Sequence, residues 1–314
     1  MTQWTFSPSQ PGAVRNIASW TVSAGQIKEA PTYQIDVSWP LTWSGKNPVA
    51  EASIVYLVDG NALFLTATEA LRRRASHRPN EISTVVVGIG YRLTDSVFSP
   101  RRSYDLTPPC ERYTPPDGPD GKPKSEARGG ADEFLTFIAE VVRPFIEKRV
   151  FPGISFGRRA LFGHSYGGLF VLHTLFTRPK SFDVYLAASP SIWWNERFIM
   201  TKAEDYISST SPTTAKGPVL RLCYGSREQY PIREPGEPME KFERRKEGAS
   251  RRRMTDNCKE IYTRLQESDR LSTLEMREYS DEDHGSVIAP ALTGALTFLS
   301  TPNVTTKYIH LTIN

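Results

Sequence analysis

Hydrophobic residues in this chain come in short unbroken runs, and between the runs polar positions return with helical spacing. Ser53-Ile54-Val55-Tyr56-Leu57-Val58 ends in Asp59-Gly60-Asn61, and Thr84-Val85-Val86-Val87-Gly88-Ile89 is a second run of the same kind. A strand apolar at nearly every position has both faces covered, which is the condition of a buried parallel sheet. Upstream the pattern turns to alternation, as in Tyr33-Gln34-Ile35-Asp36-Val37-Ser38, which predicts antiparallel strands at the start of the sheet. From 131 to 149 the residues Phe134, Leu135, Ile138, Val142, Phe145 and Ile146 fall on one face of a helix, with Pro144 placed to kink it. Further runs predict strands at 159–162, 184–188, 219–224 and 274–279, and a last helix at 287–299. Strands alternating with helices predict an α/β fold, a mostly parallel central sheet flanked by helices, with antiparallel strands at its N-terminal end.

Two segments depart from this rhythm. Residues 107–130 are rich in proline and glycine, with Pro108-Pro109 and Pro115-Pro116, and predict a long loop. It follows a central strand, where α/β sheets bind ligands, so it is a candidate lid as well as a plain insertion. The second segment spans 231–256, and within it Lys241 to Arg253 holds seven Lys/Arg and two Glu. Charge runs mostly keep a helix face wet, so a solvated surface is the expectation here, ahead of an anion site. No internal repeat interrupts the order, and residues 1–314 read as a single domain.

Composition narrows the function classes. The 39 basic and 35 acidic residues leave a net charge of +4, too small an excess to argue for a nucleic-acid partner. Three cysteines, Cys110, Cys223 and Cys258, lack CxxC or zinc-ligand spacing, so neither a disulfide framework nor a metal site is expected. The first twenty residues lack a basic flank followed by an apolar stretch, and no run reaches the roughly 18 apolar residues of a membrane span. A cytoplasmic protein without a membrane partner is the expectation; the oligomeric state is left open.

The chemistry centres on Gly163-His164-Ser165-Tyr166-Gly167, which follows a short apolar strand and precedes the helical run Leu169-Phe170-Val171-Leu172. A strand, a tight turn carrying serine, and a helix make a nucleophile elbow, the mark of the α/β-hydrolase fold. Ser165 is the candidate nucleophile, and Gly163 and Gly167 give the turn room. The helix start supplies free N–H groups, so the Tyr166 N–H is the first expected oxyanion donor, and the Asn61 N–H, in the loop after an earlier strand, is the second.

Serine needs a base, and of five histidines only His284 lies after the last predicted strand and before the last helix, where this fold keeps it. Glu228, just beyond the strand ending at Tyr224, is the expected acid; Glu234, Glu237 and Asp256 compete with it, and a Ser-His dyad is the alternative. Trp193, Trp194 and Arg102 come from loops expected near the site and are candidate substrate-binding residues, with core packing the competing account of one tryptophan.

These motifs together resemble the Putative esterase family, in its siderophore-esterase branch of enterobactin-type esterases and fungal hydrolases of triacetylfusarinine C. The resemblance rests on Val58-Asp59-Gly60-Asn61-Ala62, Val86-Val87-Gly88-Ile89-Gly90-Tyr91, Tyr104-Asp105-Leu106-Thr107-Pro108 and Gly129-Gly130-Ala131-Asp132-Glu133-Phe134-Leu135. It continues through Phe162 to Phe170, Ser189-Pro190-Ser191-Ile192-Trp193-Trp194 and His284. It implies a serine esterase that opens the ester backbone of a ferric siderophore inside the cell, with iron entering only as part of that small-molecule substrate and no cofactor. The resemblance to fungal esterases that act after uptake implies a triacetylfusarinine C type substrate, and the charge agrees with it weakly, since a ferric trihydroxamate is nearly neutral whereas a ferric tricatecholate is trianionic and gains more from a strongly cationic site. A general carboxylesterase or acyltransferase of the same fold is the alternative, and a catalytically idle binding protein the lesser one.

Overall fold

The computed structural model describes residues 15–23, 31–43, 51–92, 94–115, 126–209, 217–301 and 308–313. Its strands are β1 (Ile17–Ser23), β2 (Thr32–Ser38), β3 (Glu51–Val58), β4 (Thr84–Tyr91), β5 (Ser155–His164), β6 (Val184–Ala188), β7 (Val219–Gly225), β8 (Thr273–Tyr279) and β9 (Tyr308–Ile313). They form one sheet in the order β1-β2-β4-β3-β5-β6-β7-β8-β9. β1 and β2 are antiparallel to their neighbours, and every pairing from β4 to β9 is parallel. The chain therefore belongs to the α/β class with an N-terminal antiparallel edge.

The helices are α1 (Gly60–His77), α2 (Arg102–Asp105), α3 (Ala131–Phe137), α4 (Arg143–Phe145), α5 (Tyr166–Thr177), α6 (Trp194–Ser208), α7 (Met239–Arg252), α8 (Met254–Gln266) and α9 (Ile288–Ser300). The helix predicted over 131–149 is present, but it passes through π-type turns at Ile138–Val142 and Ile146–Val150 on either side of α4. Pro144 sits between those turns and has no N–H for the usual i→i−4 bond, so the ladder is interrupted where the proline lies.

The continuous apolar runs are explained by a core on each side of the sheet. In β3, Ile54, Tyr56 and Val58 point into the larger cluster, which holds Phe134, Leu169, Ile199 and Ile261 from the α3, α5, α6 and α8 layer. Val55 and Leu57 point the other way, against Leu63 and Phe64 of α1 and Leu292 and Leu296 of α9. Each such buried side chain stabilises the fold by about 1.5–3 kcal/mol, so neither face of β3 tolerates a polar residue cheaply.

The strand order reverses at β3: β4 lies on one side of it and β5 on the other. A crevice at such a reversal, outside the carboxyl ends of the strands, is where open α/β sheets bind ligands. Asp59 follows β3 there, Ser165 follows β5, Ser189 follows β6, Glu228 comes three residues after β7, and His284 lies beyond β8. Of the proline-rich loop, 107–115 and 126–130 are described, and the expected lid at 116–125 lies outside the described residues. The charged stretch forms α7, which is exposed along most of its length.

Candidate active site

Ser165 stands at φ 62° and ψ −117°, a left-handed conformation that a residue with a side chain adopts only under constraint. The constraint is visible on both sides. Ser165 N–H donates to the Ala188 carbonyl at 3.0 Å, and the Ser165 carbonyl accepts from Ser191 N–H at 3.1 Å. A side chain at Gly163 would run into the Gly167 backbone, so the strand and the helix leaving the turn touch where only glycine fits.

From that turn Ser165 Oγ lies 3.0 Å from His284 Nε2, and His284 Nδ1 lies 2.6 Å from Glu228 Oε2. Glu228 Oε1 accepts from the Gly225 N–H and from the Ser189 hydroxyl, both at 2.6 Å. Its side chain is fully buried, so the carboxylate has one orientation and places a hydrogen-bond acceptor against Nδ1. A proton on Nδ1 leaves Nε2 as the acceptor facing the serine. Two of the competing carboxylates are engaged elsewhere: Arg245 beside Glu237 holds that group down at about 2, and Asp256 faces Arg253 at 3.4 Å.

His164 lies under this chain. Its ring is 4.6 Å from that of His284, and its Nε2 is buried with no hydrogen-bond partner among the described residues. Burial first, then the neighbouring His284, hold the His164 imidazole well below the ordinary histidine range, so it stays neutral beside the base. Ser191, whose hydroxyl is 3.3 Å from Ser165 Oγ, and Ser189 are further members of the site that sequence reasoning passed over. The Ser189-Pro190-Ser191 segment directly after a central strand was the available signal.

A cleft of about 290 Å³ opens over the serine and is lined in part by Arg102, Tyr166, Trp193, Arg252 and His284. Three of the expected binding and oxyanion residues are here: Tyr166 at the start of α5, Arg102 and Trp193. Arg102 is not a free cation, because its Nε and one terminal nitrogen each donate to Asp59 at 2.8 Å.

One expectation is corrected. Trp194 is 1% exposed and packs on Tyr113 and Phe198, because consecutive residues at the start of a helix point about 100° apart and its partner Trp193 takes the cleft side. Asn61 is anchored at the neighbouring strand end by its side-chain amide, which donates to the Tyr91 carbonyl at 2.8 Å and accepts from the Tyr91 N–H at 2.7 Å; the expected oxyanion donor is its backbone N–H, which those bonds do not use. A second cavity of about 220 Å³, walled by Trp39, Leu71 and Pro79, lies at the other end of the parallel strands and contains none of these groups.

A serine on a strained turn after β5, an acid after β7 and a histidine after β8, in that chain order, define an α/β-hydrolase. Residues 32–263 match the Putative esterase family, and the chain belongs to it. The siderophore enterobactin esterase of Emericella nidulans is 67% identical over 96% of this chain and 99% of its own length. The siderophore triacetylfusarinine C esterase of Aspergillus fumigatus is 44% identical, covering 84% of this chain and 87% of its own. Among solved structures, the siderophore hydrolase EstA from Aspergillus nidulans superposes with a TM-score of 0.91 at 65% identity, over 96% of this chain and 99% of that one.

Proposed function

We propose that this esterase hydrolyses the backbone esters of a ferric siderophore, with Ser165 as nucleophile. The observation that carries the reading is the unbroken hydrogen-bonded chain from Ser165 through His284 to buried Glu228. Ser165 Oγ attacks the ester carbonyl while His284 Nε2 takes its proton; the C–O bond to the alcohol then breaks and His284 returns the proton to the leaving oxygen. Water, deprotonated by the same imidazole, releases the acid from Ser165. Glu228 orients the imidazole and stabilises its charged form, and the Tyr166 N–H at the start of α5 faces the developing oxyanion. Protein groups and water complete this cycle, so no cofactor enters it, and iron is cargo of the substrate.

The substrate class is supported by the relatives' names, which divide between two scaffolds. The triacetylfusarinine C type, expected from the resemblance to fungal esterases, is that of the relative at 44% identity, and the enterobactin type is that of the relative at 67%. The second is also favoured by Arg252, a cation on the cleft wall. An intracellular setting fits the three free thiols Cys110, Cys223 and Cys258. Among the described residues no helix is long and apolar enough to cross a membrane.

The test is the specificity constant for ferric enterobactin, ferric triacetylfusarinine C and a short-chain aryl ester, with products identified by mass. Linear fragments from either ferric complex at a higher specificity constant than the aryl ester are the expected result. Efficient cleavage of the aryl ester with both complexes intact would leave only a general carboxylesterase.

A further inference from the structure

We propose that Arg252 is a specificity-determining residue of this cleft, favouring a trianionic ferric siderophore over a neutral one. The proposal rests on the siderophore reading above and adds to it the residue that sets the preference. It starts from the pairing of the arginines. Arg102 at the cleft wall is held by both oxygens of Asp59, which is almost fully buried, so that pair presents little net charge. Its neighbour Arg101 faces Asp105 at 3.3 Å. On the loop side Arg128 lies over the Tyr113 ring at 3.9 Å, and its charge and that of Glu126 act on that phenol in opposite directions.

Arg252 differs from its own neighbours on α7. Arg251 pairs with Glu247 at 3.1 Å and Arg253 with Asp256 at 3.4 Å, whereas Arg252, among the described residues, makes no ion pair. Its guanidinium lies 5.6 Å from the centre of the Trp193 ring, and both residues line the cleft that contains Ser165. A cation stacked on an aromatic face is partly fixed in direction without losing its charge. The indole and guanidinium together offer a flat apolar surface with a positive edge, which suits an aromatic, oxygen-rich, negatively charged ligand such as a ferric catecholate. A neutral hydroxamate complex gains the apolar contact but not the charge.

The size of the effect follows from Coulomb's law in a solvent-exposed site. One positive charge about 8 Å from a trianion favours it about tenfold at low ionic strength and about threefold near 0.15 M salt, where the screening length is itself about 8 Å. A neutral complex feels neither.

The experiment measures inhibition constants of ferric enterobactin and ferric triacetylfusarinine C against turnover of a short-chain aryl ester, and takes their ratio within each preparation. Inhibition is readable whether or not either complex is cut, so a failed substrate assignment, seen as intact complexes by mass, is distinguishable from a failed assignment of Arg252. The ratio also cancels any loss of folded protein. Arg252→Gln should shift the ratio about threefold against the trianion near 0.15 M salt and Arg252→Glu about tenfold, both shrinking toward unity at 1 M. Arg252→Lys should keep the wild-type ratio. Arg244→Gln, which removes one charge from the same helix outside the cleft, should also leave it unchanged. An unchanged ratio in Arg252→Gln and Arg252→Glu, or an equal shift in Arg244→Gln, would overturn the proposal.

Discussion

The two walls of the cleft are built from the same residue types and behave differently. On one wall Arg102 sits on buried Asp59, and next to it in the chain Arg101 sits on buried Asp105. On the other, Arg252 and Trp193 lie on each other at the surface. The difference is one of dielectric. A buried carboxylate such as Asp59 must be paired, and the pair holds the loop in place and contributes little net field. An exposed arginine can stay unpaired, and its charge reaches the ligand through water. In the proposed function position is set by the first wall and discrimination by the second, while the serine, histidine and glutamate between them carry the bond-breaking.

That division can be broken at its strongest point first. His284→Ala should lower turnover by at least about 10⁴-fold in a protein that still folds, because the members of one nucleophilic unit fail together. Glu228→Gln should cost up to about 10⁴-fold, since the Gly225 N–H and the Ser189 hydroxyl hold the amide oxygen, leaving the amide NH2 against Nδ1 and favouring the tautomer with its proton on Nε2. No loss in Glu228→Gln, measured as kcat, would mean that serine and histidine work as a dyad.

The two tryptophans sharpen the comparison next. Trp194→Ala empties a fully packed core position and should lower unfolding free energy by about 3–5 kcal/mol in a denaturant titration. Trp193→Ala should change stability by less than about 1 kcal/mol and raise KM instead, because its ring faces the cleft. Equal stability losses would place both rings in the core.

The smallest effect concerns the rigid wall. Burial pushes the Asp105 carboxyl up to about 6, with Arg101 and the hydroxyls of Tyr33 and Tyr91 pulling it back. A folded value above the unfolded one means that this group favours folding below the ordinary carboxyl range and loses that contribution as pH rises through about 6. Measured against Asp105→Asn, wild-type stability should therefore fall by about 2–3 kcal/mol between pH 4 and pH 7. A difference between the two proteins that is flat with pH would contradict the assignment.

What could be read from the sequence follows the same line between chemistry and surface. Ser165, Glu228 and His284 each stand past the carboxyl end of a parallel strand, so strand order alone brings them to one edge of the sheet, and the structure places them in contact. Which of Trp193 and Trp194 turns inward depends on where α6 begins, a matter of one residue that apolar periodicity does not resolve. Asn61 follows an Asp-Gly pair at a strand end, a pattern shared by turns and oxyanion loops, and its side-chain amide ties that loop to Tyr91 without using the backbone N–H. Arg252 was hidden among charges that are, for the most part, the solvated face they were expected to be. β9 escaped because a single short alternating run near the chain end carries little pattern of its own.

The central claim is that Ser165 opens siderophore esters, and the most direct measurement is a side-by-side digestion of ferric enterobactin and ferric triacetylfusarinine C by wild type and by Ser165→Ala, followed by product mass. Wild type should yield linear fragments from at least one complex, and Ser165→Ala, folded as judged by its melting curve, should yield none above the uncatalysed background. Fragments formed by Ser165→Ala at a rate near that of wild type would contradict the account.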